Sequence, residues 1–405
     1  MRPCGGVVRR GCDVPRAREP FGRPIRAHTV PERRFVARGR PRRDSAEHRR
    51  GAWLAVTVAV VGAGLAGLSA AWELTRAGAD AVVLEAERRA GGVVLTEQRD
   101  GFIVEGGPDG FLTAEPDIQE LAREIGIGDR LVGQVARGST MWTGRTLEPI
   151  AEGKAAELLG IQSTAPLQAG FTSFAAGMQE IVDALVARLG PRVRTTQGVS
   201  GMAPAPRGWR LSLTGSSSLE AQAVVLAVPA WIAARLLVGV GVPGARALED
   251  VVYHPSITVS LAYRVDQVPA KLEGTGFVAA SDASGAVGAC TYAWRKYSKR
   301  APDGFALLRA FVTAVDEDPG AIAHNELTAI LGLAGPPLWT RAFHWWRGLP
   351  RYHGGHAQRV AAVRERLTRL APLAIAGAGF DGAGVSACVK SGGEAARVIL
   401  NRLGR

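Results

Sequence analysis

Val58–Glu85 reads VAVVGAGLAGLSAAWELTRAGADAVVLE: an apolar run, glycines at 62, 64 and 67, a helical pattern, a second apolar run and an acid. Each part has an expected physical task. Gly62 permits a tight turn out of a strand, Gly64 lets the backbone approach a pyrophosphate, and Gly67 lets the helix pack on the sheet. Ala63, Leu65 and Ala66 stand between these glycines, where the helix N-terminus offers unpaired N–H groups to an anion. Glu85 ends the second strand, with Ala86 behind it; a carboxylate there can hold a ribose hydroxyl and repels a 2′-phosphate, which disfavours NADP. An ordinary glycine-rich turn is the alternative. Strand, glycines, helix, strand and acid in that order argue against it.

Working outward, Glu87–Gly92 follows the second strand and ends in a Gly-Gly pair, with Val93 next, which lets the chain pass close to a cofactor. Gly106-Gly107-Pro108-Asp109-Gly110 forms a second tight loop behind the apolar stretch Phe102–Val104. Near the C-terminus, Leu373–Gly377 reads as a strand, Ala378–Gly384 as a glycine-rich loop and Val385–Leu400 as a helix. With GAGLAGLSAAWEL (62–74), EGGPDGFL (105–112), FTSFAAGMQEIVDAL (171–185), LPRYHGGH (349–356) and AGAGFDGAGVSACVKSG (376–392), the chain resembles the protoporphyrinogen and coproporphyrinogen III oxidase family of FAD-dependent, amine-oxidase-like proteins. The resemblance runs from about Val58 to Val398.

The resemblance implies an α/β fold: a discontinuous Rossmann-like FAD-binding domain and a second, α+β substrate domain on a mixed sheet. The boundaries expected are a tail over 1–50, FAD-binding parts at 54–147, 171–232 and 351–405, a shortened cap at 148–170, and a substrate domain at 233–350. It implies FAD as cofactor, contacted at Gly62–Gly67, Glu85, Ala86, Gly92, Val93, Gly107–Gly110, Val199 on the adenine side, and Ala383, Gly384 and Val385. Ala221–Pro229 matches the strand ending near the isoalloxazine. The C-terminal helix then aims its N-terminus at the flavin pyrimidine, where negative charge gathers on reduction. FAD takes hydride, O2 reoxidises it, and a porphyrinogen would lose six electrons in three passes. No acid–base dyad stands out, so no catalytic residue is named. Substrate propionates want Arg or Lys at the cavity mouth; Arg295, Lys296 and Arg347 are the guesses.

Between these motifs the pattern predicts a helix over Glu115–Leu131, a hairpin at Thr143–Pro149, and an amphipathic helix over Phe174–Leu189 stopped by Gly190-Pro191. Short strands are expected at Val193–Val199, Trp209–Leu213 and Ala223–Val228. Ile257–Tyr263, Gly276–Ala279, Ala306–Val312 and Thr340–Trp346 read as strands of the substrate floor. Trp345 and Trp346 are adjacent; on a strand they face opposite ways, so that one can line an apolar pocket, while burial of both in the core is the commoner outcome.

The chain departs from its relatives in one place. They carry a sizeable helical cap before the FTSF motif, covering the substrate and facing the membrane; here only Glu148–Gly170 fills that gap. Cofactor binding survives this on paper, whereas substrate enclosure and membrane docking do not. Three readings compete: a shortened porphyrinogen oxidase of haem synthesis, a flavin oxidase or desaturase of amines or polyenes, and an FAD-binding remnant or partner-dependent subunit.

Composition narrows the class. The 405 residues carry a formal charge of +12, yet residues 1–50 hold 15 Arg and no Lys against five acids, leaving 34 basic and 32 acidic residues in the rest. The body is thus nearly neutral, and no nucleic-acid partner is expected. The tail is read three ways: a start assigned upstream of Val56 or Val58, a disordered arm, or a presequence. The best apolar run, Ala52–Val61, is about ten residues, half of what spans a bilayer. Any membrane contact is therefore peripheral. Four cysteines without CxxC spacing fit a reducing cytoplasm and neither zinc nor disulfides. His353 and His356 form an HxxH in a glycine-broken loop, where packing is a better expectation than metal binding.

Overall fold

The computed structural model describes residues 56–405 except 152, 159–165 and 314–316; the tail, and every reading attached to it, lies outside the described residues. Strand β1 (Val56–Val61) turns into helix α1 (Leu65–Arg76) and returns as β2 (Ala81–Leu84), parallel to β1 with Val58 opposite Ala81 and Val61 opposite Leu84. On the other side of β1 lies Ser218–Leu226, also parallel, with Val58 opposite Ala223. Val193–Arg194 extends the sheet beyond β2, and Leu373–Ile375 pairs with Val224–Leu226. An antiparallel arm, Gly208–Leu213 and Val199–Ala205, completes seven strands drawn from three separated stretches of chain.

Both faces of this sheet are covered, which is why its central strands read as unbroken apolar runs. Val58 and Val60 pack with Leu68, Ile181 and Ile399 on one face; Ala59 and Val61 pack with Leu237, Val363 and Phe380 on the other. Each fully buried Val or Leu there contributes about 1.5–3 kcal/mol. Helix α1 meets the C-terminal helix Val385–Arg402 at very short range: a Cβ added at Gly392 would lie 2.2 Å from the Ala66 carbonyl oxygen.

The second sheet, also seven-stranded, is mixed. Val252–Arg264 lies between Phe305–Val312 and Trp339–Arg351, antiparallel to both, and Gly276–Ala279 adds the hairpin Ser139–Trp142/Leu147–Ile150 through a parallel pairing. Its core is a cluster around Val259, Leu261, Leu308, Ala310 and Leu327.

Local periodicity misjudged three segments. The helix expected over Phe174–Leu189 begins only at Gln179, because Phe171–Phe174 is a strand held between Phe111–Leu112 and Leu131–Gly133, and Gly177 turns at φ +101°. The helix expected over Glu115–Leu131 is confined to Asp117–Glu124, closing at Gly126 with φ +80°. The strand expected over Val193–Val199 breaks after Arg194, where Thr196 adopts φ +56°.

Candidate functional site

The turn after β1 is built as its glycines require. Gly62 has φ +101°, and an added Cβ would sit 2.4 Å from the Ala227 carbonyl oxygen; at Gly67 it would sit 1.9 Å from the Gly62 carbonyl oxygen. Gly64 is different: a Cβ there would meet nothing within 4 Å, and no side chain caps α1 behind it. The start of α1, Gly64–Ala66, borders open space, as an anion site at a helix N-terminus needs. The Gly-Gly loop bridges onto this turn, Gly91 donating to the Ala63 carbonyl at 2.7 Å. Arg89 holds that loop by donating to the carbonyls of Ala90 (3.1 Å), Val94 (2.8 Å) and Gly92.

Glu85 accepts from the Ala63 N–H at 2.6 Å and the Glu87 N–H at 2.9 Å, which leaves further lone pairs on both oxygens. Beside it, Gln197 donates to the Glu85 carbonyl at 2.7 Å, and a Cβ on Gly198 would lie 3.2 Å from the Ala86 Cβ. Glu85, Ala86 and the entry to Val199 thus sit together at one pole.

The other pole is a cavity of about 570 Å³. Of the positions expected to contact cofactor, Gly64, Leu65, Ala66, Gly92, Val93, Gly107–Gly110, Ala383 and Val385 line it, whereas Gly62, Ala63, Gly67, Glu85, Ala86, Val199 and Gly384 do not. The C-terminal helix enters through Gly384, again without a side-chain cap. Its preceding loop is fixed by Asp381, which accepts from Ser391 at 2.5 Å and Arg364 at 2.6 Å, while Ser391 Oγ accepts from the Gly377 N–H at 2.8 Å. Two uncapped helix ends, an open glycine and a free face on Glu85 fit the pyrophosphate, pyrimidine and ribose of a flavin dinucleotide.

The opposite wall comes from the second sheet. Trp345 lines the cavity and donates from Nε1 to the Gly106 carbonyl at 2.7 Å, while Trp346 is 74% exposed. Strand alternation therefore holds, and one Trp lines a pocket; both being core, the commoner outcome, fails, because Trp346 is solvent-exposed and stacks only partly on the His344 ring at 5.8 Å. The shortened segment still supplies wall, since Ala155, Ala156 and Leu167 line the cavity.

Among the described residues four charged side chains line this cavity: Asp109, Lys296, Arg309 and Arg347. Lys296 Nζ lies 2.9 and 3.1 Å from the two Asp109 oxygens and 4.6 Å over the Phe171 ring. Arg309 donates to the Gly107 carbonyl, stacks on Phe311 at 4.7 Å, and leaves its buried Nε without a partner among the described residues. Burial alone would push Asp109 up, but Lys296 and Arg309 outweigh it and hold its carboxyl below the usual range. Behind this layer Glu105 is 4% exposed; it accepts from Thr96 Oγ1 at 2.6 Å and the Met178 N–H at 2.9 Å, and burial pushes its pKa up to about 7. Arg347 stacks on Trp231 at 4.4 Å and has no carboxylate partner among the described residues. Of the three guessed cations, Lys296 and Arg347 reach the cavity; Arg295 does not, and turns instead toward the Trp294 ring at 5.6 Å. Sequence reasoning missed Arg309, which reads as one charge inside an apolar strand.

His356 packs: it begins helix His356–Leu367, stacks on Tyr352 at 4.4 Å and bonds the Phe380 carbonyl at 3.1 Å. Among the described residues no group of three or more His, Cys, Asp or Glu could hold a metal, and no helix is long and apolar enough to cross a membrane.

Comparison with known proteins agrees with this geometry. The family model for flavin containing amine oxidoreductase matches residues 65–175 and 152–400, and its two pieces meet where the cap is short. Coproporphyrinogen III oxidase of Bacillus subtilis is 23% identical over 463 residues, covering 85% of this chain and 98% of that protein. An alignment that long, met by so much less of this chain, means that the relative carries residues missing here. The enzyme of the same name from Mycobacterium bovis is 28% identical over 449 residues, covering 85% of this chain and 97% of its own length. A solved structure from Exiguobacterium sp. 255-15, provisionally named protoporphyrinogen oxidase, superposes with a TM-score of 0.73 at 23% identity, covering 86% of this chain and 99% of that one. The chain belongs to the flavin containing amine oxidoreductase family, and it is an FAD-dependent oxidoreductase.

Proposed function

We propose that this protein oxidises a porphyrinogen, protoporphyrinogen IX or coproporphyrinogen III, to the porphyrin, with O2 as final acceptor. The observation that carries this reading is one cavity that takes in the first residues of both uncapped helices, Leu65 and Val385, together with an apolar wall and three cations in its lining. The porphyrinogen-oxidase names of relatives covered over nearly their whole length support it. On this reading the cofactor-contacting residues are the lining positions above, Asp109 through its backbone since its carboxylate is held by Lys296, with Glu85, Ala86 and Val199 at the adenosine pole. The cofactor-binding part is assembled from 54–147, 171–232 and 351–405, and the substrate part from 233–350.

FAD held by these residues would supply the hydride acceptor. The chain's own residues do the rest. Phe277, Phe311 and Trp345 offer flat apolar surface to a macrocycle and exclude water, and the Trp345 ring is fixed by its bond to Gly106. Arg347, without a carboxylate partner among the described residues and held on the Trp231 ring, takes a substrate carboxylate. Conjugation of the product drives the reaction, so positioning is most of what the protein must supply.

Anaerobic mixing of the FAD-loaded protein with each porphyrinogen, followed by air, tests the reading. Loss of the oxidised flavin's visible absorbance and then a rise of porphyrin fluorescence are expected, and the faster substrate identifies the reaction. A yellow protein that neither substrate bleaches overturns it.

A further inference from the structure

Among the described cavity-lining residues Asp109 is the sole acid, and it stands beside two buried cations rather than alone. A Lys–Asp pair in such a place is a poor device for stability, since exchanging a buried ion pair for apolar groups is often neutral or stabilising. Lys296 occupies only part of the carboxylate. It donates once to each oxygen, at 3.1 and 2.9 Å, and each oxygen keeps a lone pair for a further donor. Arg309, held on the adjoining Gly107 carbonyl, adds a second fixed positive charge. The result is a carboxylate kept ionised, oriented and in contact with the cavity, in surroundings of low dielectric where its field is strong.

A porphyrinogen presents four pyrrole N–H donors and no counter-ion of its own at the ring centre. When the C–H bond at a methylene bridge breaks, its electron pair leaves with the hydrogen to the oxidised flavin. The macrocycle, oxidised by two electrons, is left with a positive charge shared by the adjoining pyrrole nitrogen; the N–H proton then leaves to water. An anion fixed beforehand against those nitrogens lowers the energy of that charge as it forms.

We infer that Asp109 is a catalytic residue: its carboxylate accepts from the pyrrole N–H groups and stabilises the positive charge left by hydride loss, with Lys296 and Arg309 as its positioning residues. This rests on the porphyrinogen reading above.

D109N alone would strand Lys296 as a buried unpaired charge, so the informative variant is the neutral pair D109N/K296M. It is expected to keep its FAD and its thermal midpoint within a few degrees of wild type. In anaerobic single turnovers it should bleach roughly 10²–10³-fold more slowly, the range for loss of one preorganised electrostatic partner. Substrate deuterated at the methylene bridges should then show a larger isotope effect than in the wild type. K296M, which keeps the carboxylate, should lose much less. If D109N/K296M does not retain FAD, D109S/K296M is measured in its place with the same expectations. An FAD-loaded double variant that turns over at the wild-type rate overturns the inference while leaving the porphyrinogen reading intact. A wild type that bleaches with neither porphyrinogen overturns both.

Discussion

Removing the charge of Glu105 should change how stability depends on pH. Its folded pKa of about 7 lies above the ordinary 4.5, so between those values the native chain holds a proton that the unfolded chain has released. The stability this contributes is present below 4.5 and is lost as pH rises through 7, by up to about 3 kcal/mol at 1.36 kcal/mol per unit. Urea unfolding of Glu105→Gln at pH 5 and pH 8 should therefore show a weaker decline than the wild type. At Gly67 a methyl would lie 1.9 Å from a carbonyl oxygen, so Gly67→Ala should push α1 off β1, costing about 1–3 kcal/mol and most of the bound flavin, read by melting and by absorbance. Arg347→Ala should raise KM for a porphyrinogen roughly tenfold at low salt with kcat little changed, and the effect should shrink as salt is added. The residues legible in the sequence were those whose task is local: Gly62, Gly64, Gly67 and Glu85 follow from the turn they make. Lys296 and Asp109 lie 187 positions apart, and nothing in either neighbourhood announces the other.

Strand Trp339–Arg351 shows what alternation achieves at the scale of an element. It turns Trp345 into the cavity and Trp346 outward, so the two neighbours should respond differently to substitution. Trp345→Phe deletes the bond to Gly106 and should cost about 1 kcal/mol and slow turnover, whereas Trp346→Ser should stay within about 0.5 kcal/mol of wild type in the same urea titration. The long strands and the C-terminal helix were readable because apolar period and length agree there. Phe171–Phe174 was misjudged because its partners, Phe111–Leu112 and Leu131–Gly133, lie about forty to sixty positions away, and a local window sees only the helix that follows. The Gly177 turn ends the strand for a tertiary reason as well: a Cβ there would strike Thr96 at 2.3 Å.

At the scale of the molecule, the neutral body and the basic tail predict separable behaviour. A chain starting at Val56 should bind as much flavin as the full chain, measured by absorbance after purification; loss of flavin would give the tail a part in the fold. Class and cofactor were legible because the fingerprint at each end is compact, while the cavity's cations and its residual wall at Ala155, Ala156 and Leu167 emerge only when distant strands meet. The close packing of Gly392 on Ala66 has a bearing on biosynthesis. It locks together the two helices whose N-termini open at Gly64 and Gly384, more than three hundred residues apart in order of synthesis. A nascent chain has the first helix end long before it has made the second. Flavin loading should therefore wait on Val385–Arg402, and a chain lacking that helix is expected to be colourless however much of the rest of the fold has formed.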